Sequence, residues 1–222
     1  MNTPASRLMS TADVEIFFER LQQANPNPET ELNYRSHFEL LIAVLLSAQS
    51  TDIAVNKVTP ALFELAPDAH AMAKLEVAQI EELIKTLGLY RSKAKHALQT
   101  AQIISLEHQG AVPRDRAMLE RLPGVGRKTA NVVLNTAFGE PTMAVDTHIE
   151  RVSNRTGLAP GKTVLAVELR LLKRTPKPYL QNAHHWLILH GRYICKARKP
   201  VCDQCPVYDV CRFKGKEAIA SA

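Results

Sequence analysis

Lys128 and Asp146 are the two residues whose types and spacing promise chemistry. Lys128 closes the run Leu122-Pro123-Gly124-Val125-Gly126-Arg127-Lys128, and Asp146 lies one helical pattern further on, in Val145-Asp146-Thr147-His148-Ile149. A neutral amine can attack a sugar carbon, and a nearby carboxylate can stabilise an oxocarbenium-like centre or move the proton. A free lysine titrates near 10.4, so only roughly one in 2,500 is neutral at pH 7. The first turn of a helix disfavours an ammonium, because the dipole is positive there. That placement, the neighbouring Arg127 and an expected partial burial would all favour the neutral amine of Lys128. The plainer alternatives are a solvated lysine and, for Asp146, a simple N-cap.

The elements around Lys128 must hold it beside its target. Asp115 to Leu122 places Met118, Leu119 and Leu122 on one helical face, with Asp115 as N-cap. Pro123 discourages Leu122 from the α region and stops that helix. Ala130, Val133, Leu134 and Ala137 form a second stripe, ended by Gly139. Between the two helices, Gly124 and Gly126 allow positive φ and leave no side chain between backbone and ligand. The amides of Gly126 and the residues after it are the free donors of a helix N-terminus, which suits an anion such as a phosphodiester. An ordinary helical hairpin with a glycine turn remains the alternative. Asp146 opens a further helix with Ile149 and Val152 on its apolar face, and a return of the chain could bring the two helix N-termini together.

Charge points to a polyanionic partner. The formal net charge is +6 with a pI near 9.2. Residues 141–222 carry 14 basic and 6 acidic side chains, net +8, whereas residues 1–140 carry 14 and 16, net −2. A basic C-terminal third attracts nucleic acid, although a solvated basic surface would read alike.

All four cysteines, Cys195, Cys202, Cys205 and Cys211, fall within 17 residues as C-x6-C-x2-C-x5-C. The N-terminus lacks an apolar signal core, and the longest apolar run, Leu40 to Leu46, is too short to span a membrane. In a reducing compartment such a cluster of thiols reads as a metal loop rather than as disulfides. Zinc stays open, but only Cys202–Cys205 is a short-spaced pair, so the spacing favours an iron–sulfur cubane. Lys196, Arg198 and Lys199 lie inside the loop, where a cluster would hold them rigidly against phosphates.

The rest of the chain reads as helix, without strand alternation. Val14, Phe17, Phe18 and Leu21 form one stripe, and Ser36 with Glu39 reads as a capping box for the apolar Phe38–Leu46 segment. Ile80, Leu83, Ile84 and Leu87 end at Gly88; Ala94, Leu98, Ala101 and Ile104 follow; Val164 to Leu172 and His185 to Ile194 come later. Asn25-Pro26-Asn27-Pro28 and Glu140-Pro141 mark junctions. The class is all-α in two helical domains: residues 29–140, containing the hairpin at about 115–137, and a discontinuous domain of 1–28 plus 141–222 carrying the loop at 195–211. The first ten or so and last several residues read as loose ends.

These motifs in this order resemble the endonuclease III family of the helix-hairpin-helix superfamily, bifunctional DNA glycosylases and abasic-site lyases. The likeness extends through Leu40-Leu41-Ile42-Ala43-Val44-Leu45-Leu46-Ser47-Ala48-Gln49, Gly88-Leu89-Tyr90 and His184-His185-Trp186-Leu187-Ile188-Leu189-His190-Gly191-Arg192, and so covers most of the chain. The resemblance implies removal of oxidised pyrimidines from duplex DNA. Lys128 would attack C1′ and form a Schiff base whose β-elimination nicks the strand, with Asp146 as the assisting carboxylate. The four cysteines would hold a [4Fe–4S] cluster. Gly124, Val125, Gly126, Arg127, Thr129 and His148 would contact DNA, and the cleft between the two halves would receive it. Gln49 would fill the gap left by the flipped base, and Leu89 would wedge the opposite strand. Local sequence alone would instead make Gln49 a helix-terminal polar residue and Leu89 a core leucine. Ser50 departs from the alanine expected in close relatives. A monofunctional glycosylase of the adenine-mismatch type shares these features but lacks the lysine; a non-enzymatic iron–sulfur DNA-binding protein would need neither Lys128 nor Asp146. Double-stranded DNA with damaged bases or abasic sites is the expected partner. The expected state is a monomer, and the expected location is a prokaryotic-type cytoplasm, associated with the nucleoid, with no membrane contact.

Overall fold

Polar caps set most helix starts. Ser10 accepts the Asp13 N–H while the Asp13 carboxylate turns back to the Ser10 N–H, a complete capping box for α1 (Thr11–Ala24). Ser36 caps α2 (His37–Leu46) by accepting the Glu39 N–H at 3.1 Å. The expected reciprocal bond is absent, because Glu39 is buried and turns to the N–H and guanidinium of Arg35. Thr51, Asp68 and Asp115 cap α3 (Asp52–Leu65), α4 (Ala69–Met72) and α7 (Arg116–Glu120). The computed structural model describes residues 8–220, and no strand occurs among them.

The chain divides into two compact units, Thr30–Glu140 and a discontinuous one made of the segments up to Glu29 and from Pro141. In the first, α2 is apolar on nearly every side and forms the centre, as an all-round hydrophobic helix must. Around it pack α3, α6 (Tyr90–Glu107) and α8 (Arg127–Phe138), while α5 (Val77–Ile84) and α4 pack on α6 and α7 packs on α8. The core joins Leu40–Leu46 to Val55, Leu62, Ile80, Ile84, Ala101, Ile104 and Val133.

In the second unit, α9 (Thr147–Thr156) packs on α11 (Leu180–Tyr193) and α10 (Val164–Arg174). α1 lays Val14, Phe17, Phe18 and Leu21 against it. Phe18 stacks on Tyr179 at 5.8 Å, and Trp186 donates its ring N–H to the Asn25 carbonyl at 2.7 Å. A short α12 (Lys216–Ala220) ends the described chain. No helix among the described residues is long and apolar enough to cross a membrane.

Candidate functional site

The turn between α7 and α8 uses its two glycines differently. Gly124 has φ +76°, the left-handed region, and a Cβ there would meet the His96 ring at 2.9 Å. Gly126 is the N-cap of α8 at φ −93°, a conformation open to any residue; contrary to expectation it needs no positive φ. Its contribution is space, since a Cβ on it would meet nothing within 4 Å. No side chain caps α8. The start of that helix is therefore open to an external acceptor.

Lys128 sits in the first turn of α8 and is exposed, so the partial burial expected of its amine is not seen. Thr129 is half-buried beside it. Val125 differs from a ligand-facing residue: its side chain belongs to the core and its N–H bonds the Leu122 carbonyl at 3.0 Å. Met118, expected on the buried face of α7, is 47 % exposed, while Leu119 and Leu122 are buried. The turn is fastened from below by Thr100 of α6, whose hydroxyl donates to the Pro123 carbonyl at 3.0 Å.

Three exposed residues of the same unit hold left-handed backbone without being glycine: Gln49, φ 57°, Leu89, φ 59°, and Gln109, φ 54°; the first two are the expected plug and wedge. Leu89 is 61 % exposed, so it is no core leucine. The strain falls on Leu89 and not on the adjacent Gly88, with Leu89 as N-cap of α6. Such conformations persist only where their surroundings impose them, and they concentrate at ligand clamps.

In the other unit Asp146 caps α9: its Oδ1 accepts the N–H groups of His148 and Ile149, both at 2.9 Å. The second oxygen, Oδ2, is the one the cap does not use. His148 is half-buried, with Nδ1 3.2 Å from the Arg151 guanidinium. Arg151 donates to the carbonyls of Cys195 (3.0 Å) and Gly191 (2.7 Å), and burial holds its guanidinium below the ordinary arginine range. One turn on, Arg155 donates to the Lys196 carbonyl at 2.7 Å and lies 3.6 Å from Cys195 Sγ. Sequence reasoning missed both arginines, because their partners Cys195 and Lys196 lie far along the chain.

All four cysteines are free and line one cavity, together with Arg155, His190, Val201 and Phe213. Among the described residues no three His, Cys, Asp or Glu side chains converge tightly enough for a single metal ion. Four free thiols lining one cavity match the donor set of an iron–sulfur cluster. Burial pushes the Cys205 thiol up to about 12, with the other three sulfurs adding to the effect, and burial raises Cys202 and Cys211 as well. Crowded buried thiols give up their protons only to a metal centre that replaces that charge. The loop is pinned by Arg20 to Asp209 (2.9 Å), by Arg212 to Asp13 and by Lys216 to the Tyr208 and Cys211 carbonyls. Lys196, Arg198 and Lys199 project from it, exposed.

Residues 42–177 match the model of the HhH-GPD superfamily of base excision DNA repair proteins, and residues 195–211 match the iron-sulfur binding domain of endonuclease III. Endonuclease III of Escherichia coli K12 is 59 % identical over 89 % of this chain and 93 % of its own length. The chain belongs to the endonuclease III family. The enzyme of Haemophilus influenzae is 54 % identical over 93 % of this chain and 97 % of its own. A structure of a trapped endonuclease III–DNA covalent intermediate superposes with a TM-score of 0.88 at 44 % identity, covering 96 % of this chain and all of that one. A thermostable thymine-DNA glycosylase at 24 % identity, TM-score 0.80, shares the fold over 92 % of this chain and 98 % of its own. As a member of this family the chain is a bifunctional base-excision repair enzyme, a DNA glycosylase and abasic-site lyase. It binds DNA and carries a [4Fe–4S] cluster.

Proposed function

We propose that this enzyme removes oxidised pyrimidines from duplex DNA and then cleaves the abasic site by β-elimination through Lys128. The observation that carries this reading is the exposed Lys128 amine in the first turn of α8, beside a helix start that no side chain caps. The backbone around Gly126 holds a phosphate of the damaged strand. Neutral Lys128 Nζ bonds to C1′ as the C1′–N glycosidic bond breaks, and the base leaves with the electron pair and takes up a proton. Asp146 Oδ2 stabilises the positive charge at C1′ and receives the amine proton. Ring opening gives the C1′=N Schiff base. Loss of a C2′ proton then expels the 3′ phosphate, and water releases the amine.

Cys195, Cys202, Cys205 and Cys211 hold the cluster, which fixes Lys196, Arg198 and Lys199 against the DNA backbone. Arg127, Thr129 and His148 complete the backbone contacts. Gln49 fills the gap left by the flipped base and Leu89 wedges the opposite strand, offsetting an extrusion that costs a few kcal/mol. The reading includes a cytoplasmic monomer acting on the nucleoid. Borohydride trapping on duplexes containing thymine glycol or an abasic site tests it. A covalent adduct is expected with the native chain and none with Lys128→Gln; an adduct of equal yield in that variant removes Lys128 from the chemistry.

A further inference from the structure

Lys93 is a lysine that the chemistry above does not use, and it is 4 % exposed. Buried lysines are rare and need a reason, because burial opposes the charge; here it pushes the amine below the ordinary lysine range. Lys93 Nζ donates to Ser50 Oγ at 2.7 Å across 43 residues of sequence. Ser50 directly follows Gln49, and its N–H closes a turn onto the Ser47 carbonyl at 3.0 Å, just past the C-terminus of α2. An ammonium at that end complements the negative pole of the α2 dipole. On its own helix, Lys93 donates its N–H to the carbonyl of Leu89 at 3.0 Å. The side chain therefore reaches the residue that follows Gln49, and the backbone reaches Leu89 itself, so Lys93 lies between two of the left-handed positions of this unit. Leu89, Lys93, His96 and Thr100 follow at helical spacing along α6, and the last two contact the Gly124 and Pro123 positions of the hairpin.

We infer that Lys93 is a positioning residue for base extrusion: its bond to Ser50 holds the Gln49 loop in register with Leu89, so that plug and wedge enter the duplex as one rigid unit. The inference rests on the proposed roles of Gln49 and Leu89. Preorganising both residues in the free protein removes an ordering cost from the step that unstacks the base. A preformed abasic site has no base to unstack and gains little from it.

The test compares single-turnover excision of thymine glycol with nicking of a preformed abasic site, for Lys93→Met and Ser50→Ala. 2-Aminopurine beside the lesion reports unstacking. Thermal stability and the cluster's visible absorbance confirm folding. Lys93→Met is expected to slow thymine glycol excision and the 2-aminopurine rise about tenfold, Ser50→Ala about threefold, and the double variant no more than Lys93→Met, as for one shared bond to a charged donor. Abasic-site nicking should stay within about twofold. Should Lys93→Met fail to fold, Ser50→Ala carries the comparison alone. Gln49→Ala and Leu89→Ala serve as references. If neither slows the 2-aminopurine rise, the plug-and-wedge reading fails. If they slow it while Ser50→Ala and Lys93→Met match the native chain, or if the two substrates slow equally, the positioning role of Lys93 is overturned.

Discussion

Thr100 donates its hydroxyl to the carbonyl of Pro123 at 3.0 Å, so the buried middle of α6 holds the turn that precedes Lys128. The two glycines of that turn should respond to substitution in opposite ways. Gly124→Ala places a Cβ at positive φ and 2.9 Å from the His96 ring, and is expected to cost about 1–3 kcal/mol of stability. Gly126→Ala meets open space at an ordinary φ and should cost about 0.5 kcal/mol, the difference between glycine and alanine at an N-cap. Its Cβ occupies the approach to the helix N-terminus, so DNA affinity should fall more than stability. Chemical denaturation and fluorescence anisotropy on an abasic duplex separate the two effects.

Asp146 caps α9, and its proposed part in base release can be separated from that cap. Asparagine caps helices as well as aspartate does, so Asp146→Asn should leave stability within about 0.5 kcal/mol. Base release should still slow about a hundredfold, as expected for loss of a charged acid–base group. Asp146→Ala loses the bonds to His148 and Ile149 as well, and should cost about 1 kcal/mol more. Equal melting temperatures for the two variants would assign the cap elsewhere.

The cluster loop should matter more for DNA binding than for the first unit's fold. Cys202→Ala is expected to lose the visible iron–sulfur absorbance and to weaken binding. Fewer phosphate contacts from Lys196, Arg198 and Lys199 should also flatten the dependence of affinity on salt, by about one unit of slope per lost contact. Titrating salt from low to moderate concentration measures that slope.

Acid should weaken the second unit through His185. Burial lowers its pKa to about 4, from 6.5 in the unfolded chain. Its contribution is complete above pH 6.5. Below that the unfolded chain binds a proton the folded chain refuses, and stability falls by about 1.4 kcal/mol per pH unit until pH 4. His190, lowered by burial to about 4 as well, acts in the same direction. Urea midpoints measured across this window should decline less steeply in His185→Gln.

What sequence reveals here is what repeats or caps locally. The hairpin, Asp115 as cap, Gly139 as stop and the cysteine loop are all legible because turn chemistry and ligand spacing are short-range. The expected helix after His185 begins earlier, at Leu180, because a 3₁₀ turn over Lys177–Tyr179 leads into it. No helix is read over Asp52–Leu65, where Pro60 sits mid-helix and masks the pattern of Val55, Leu62 and Phe63. Glu39 bonds Arg35 where a capping box is expected, since a neighbouring guanidinium competes for the same carboxylate. Arg151, Arg155 and Lys93 escape notice for a common reason: each acquires its partner only when distant helices pack, and no local pattern encodes that meeting.

The discontinuous unit has a consequence for biosynthesis. α1 leaves the ribosome well before the residues after Pro141 that make the surface burying Phe17 and Phe18. At ordinary elongation rates of about 5–20 residues per second, more than a hundred intervening residues keep that aromatic stripe uncovered for roughly ten seconds. The inserted unit can fold meanwhile, because its segments are contiguous. The nascent chain therefore passes through a stage with one finished unit and a sticky leader, a natural client for a holding chaperone at the tunnel exit.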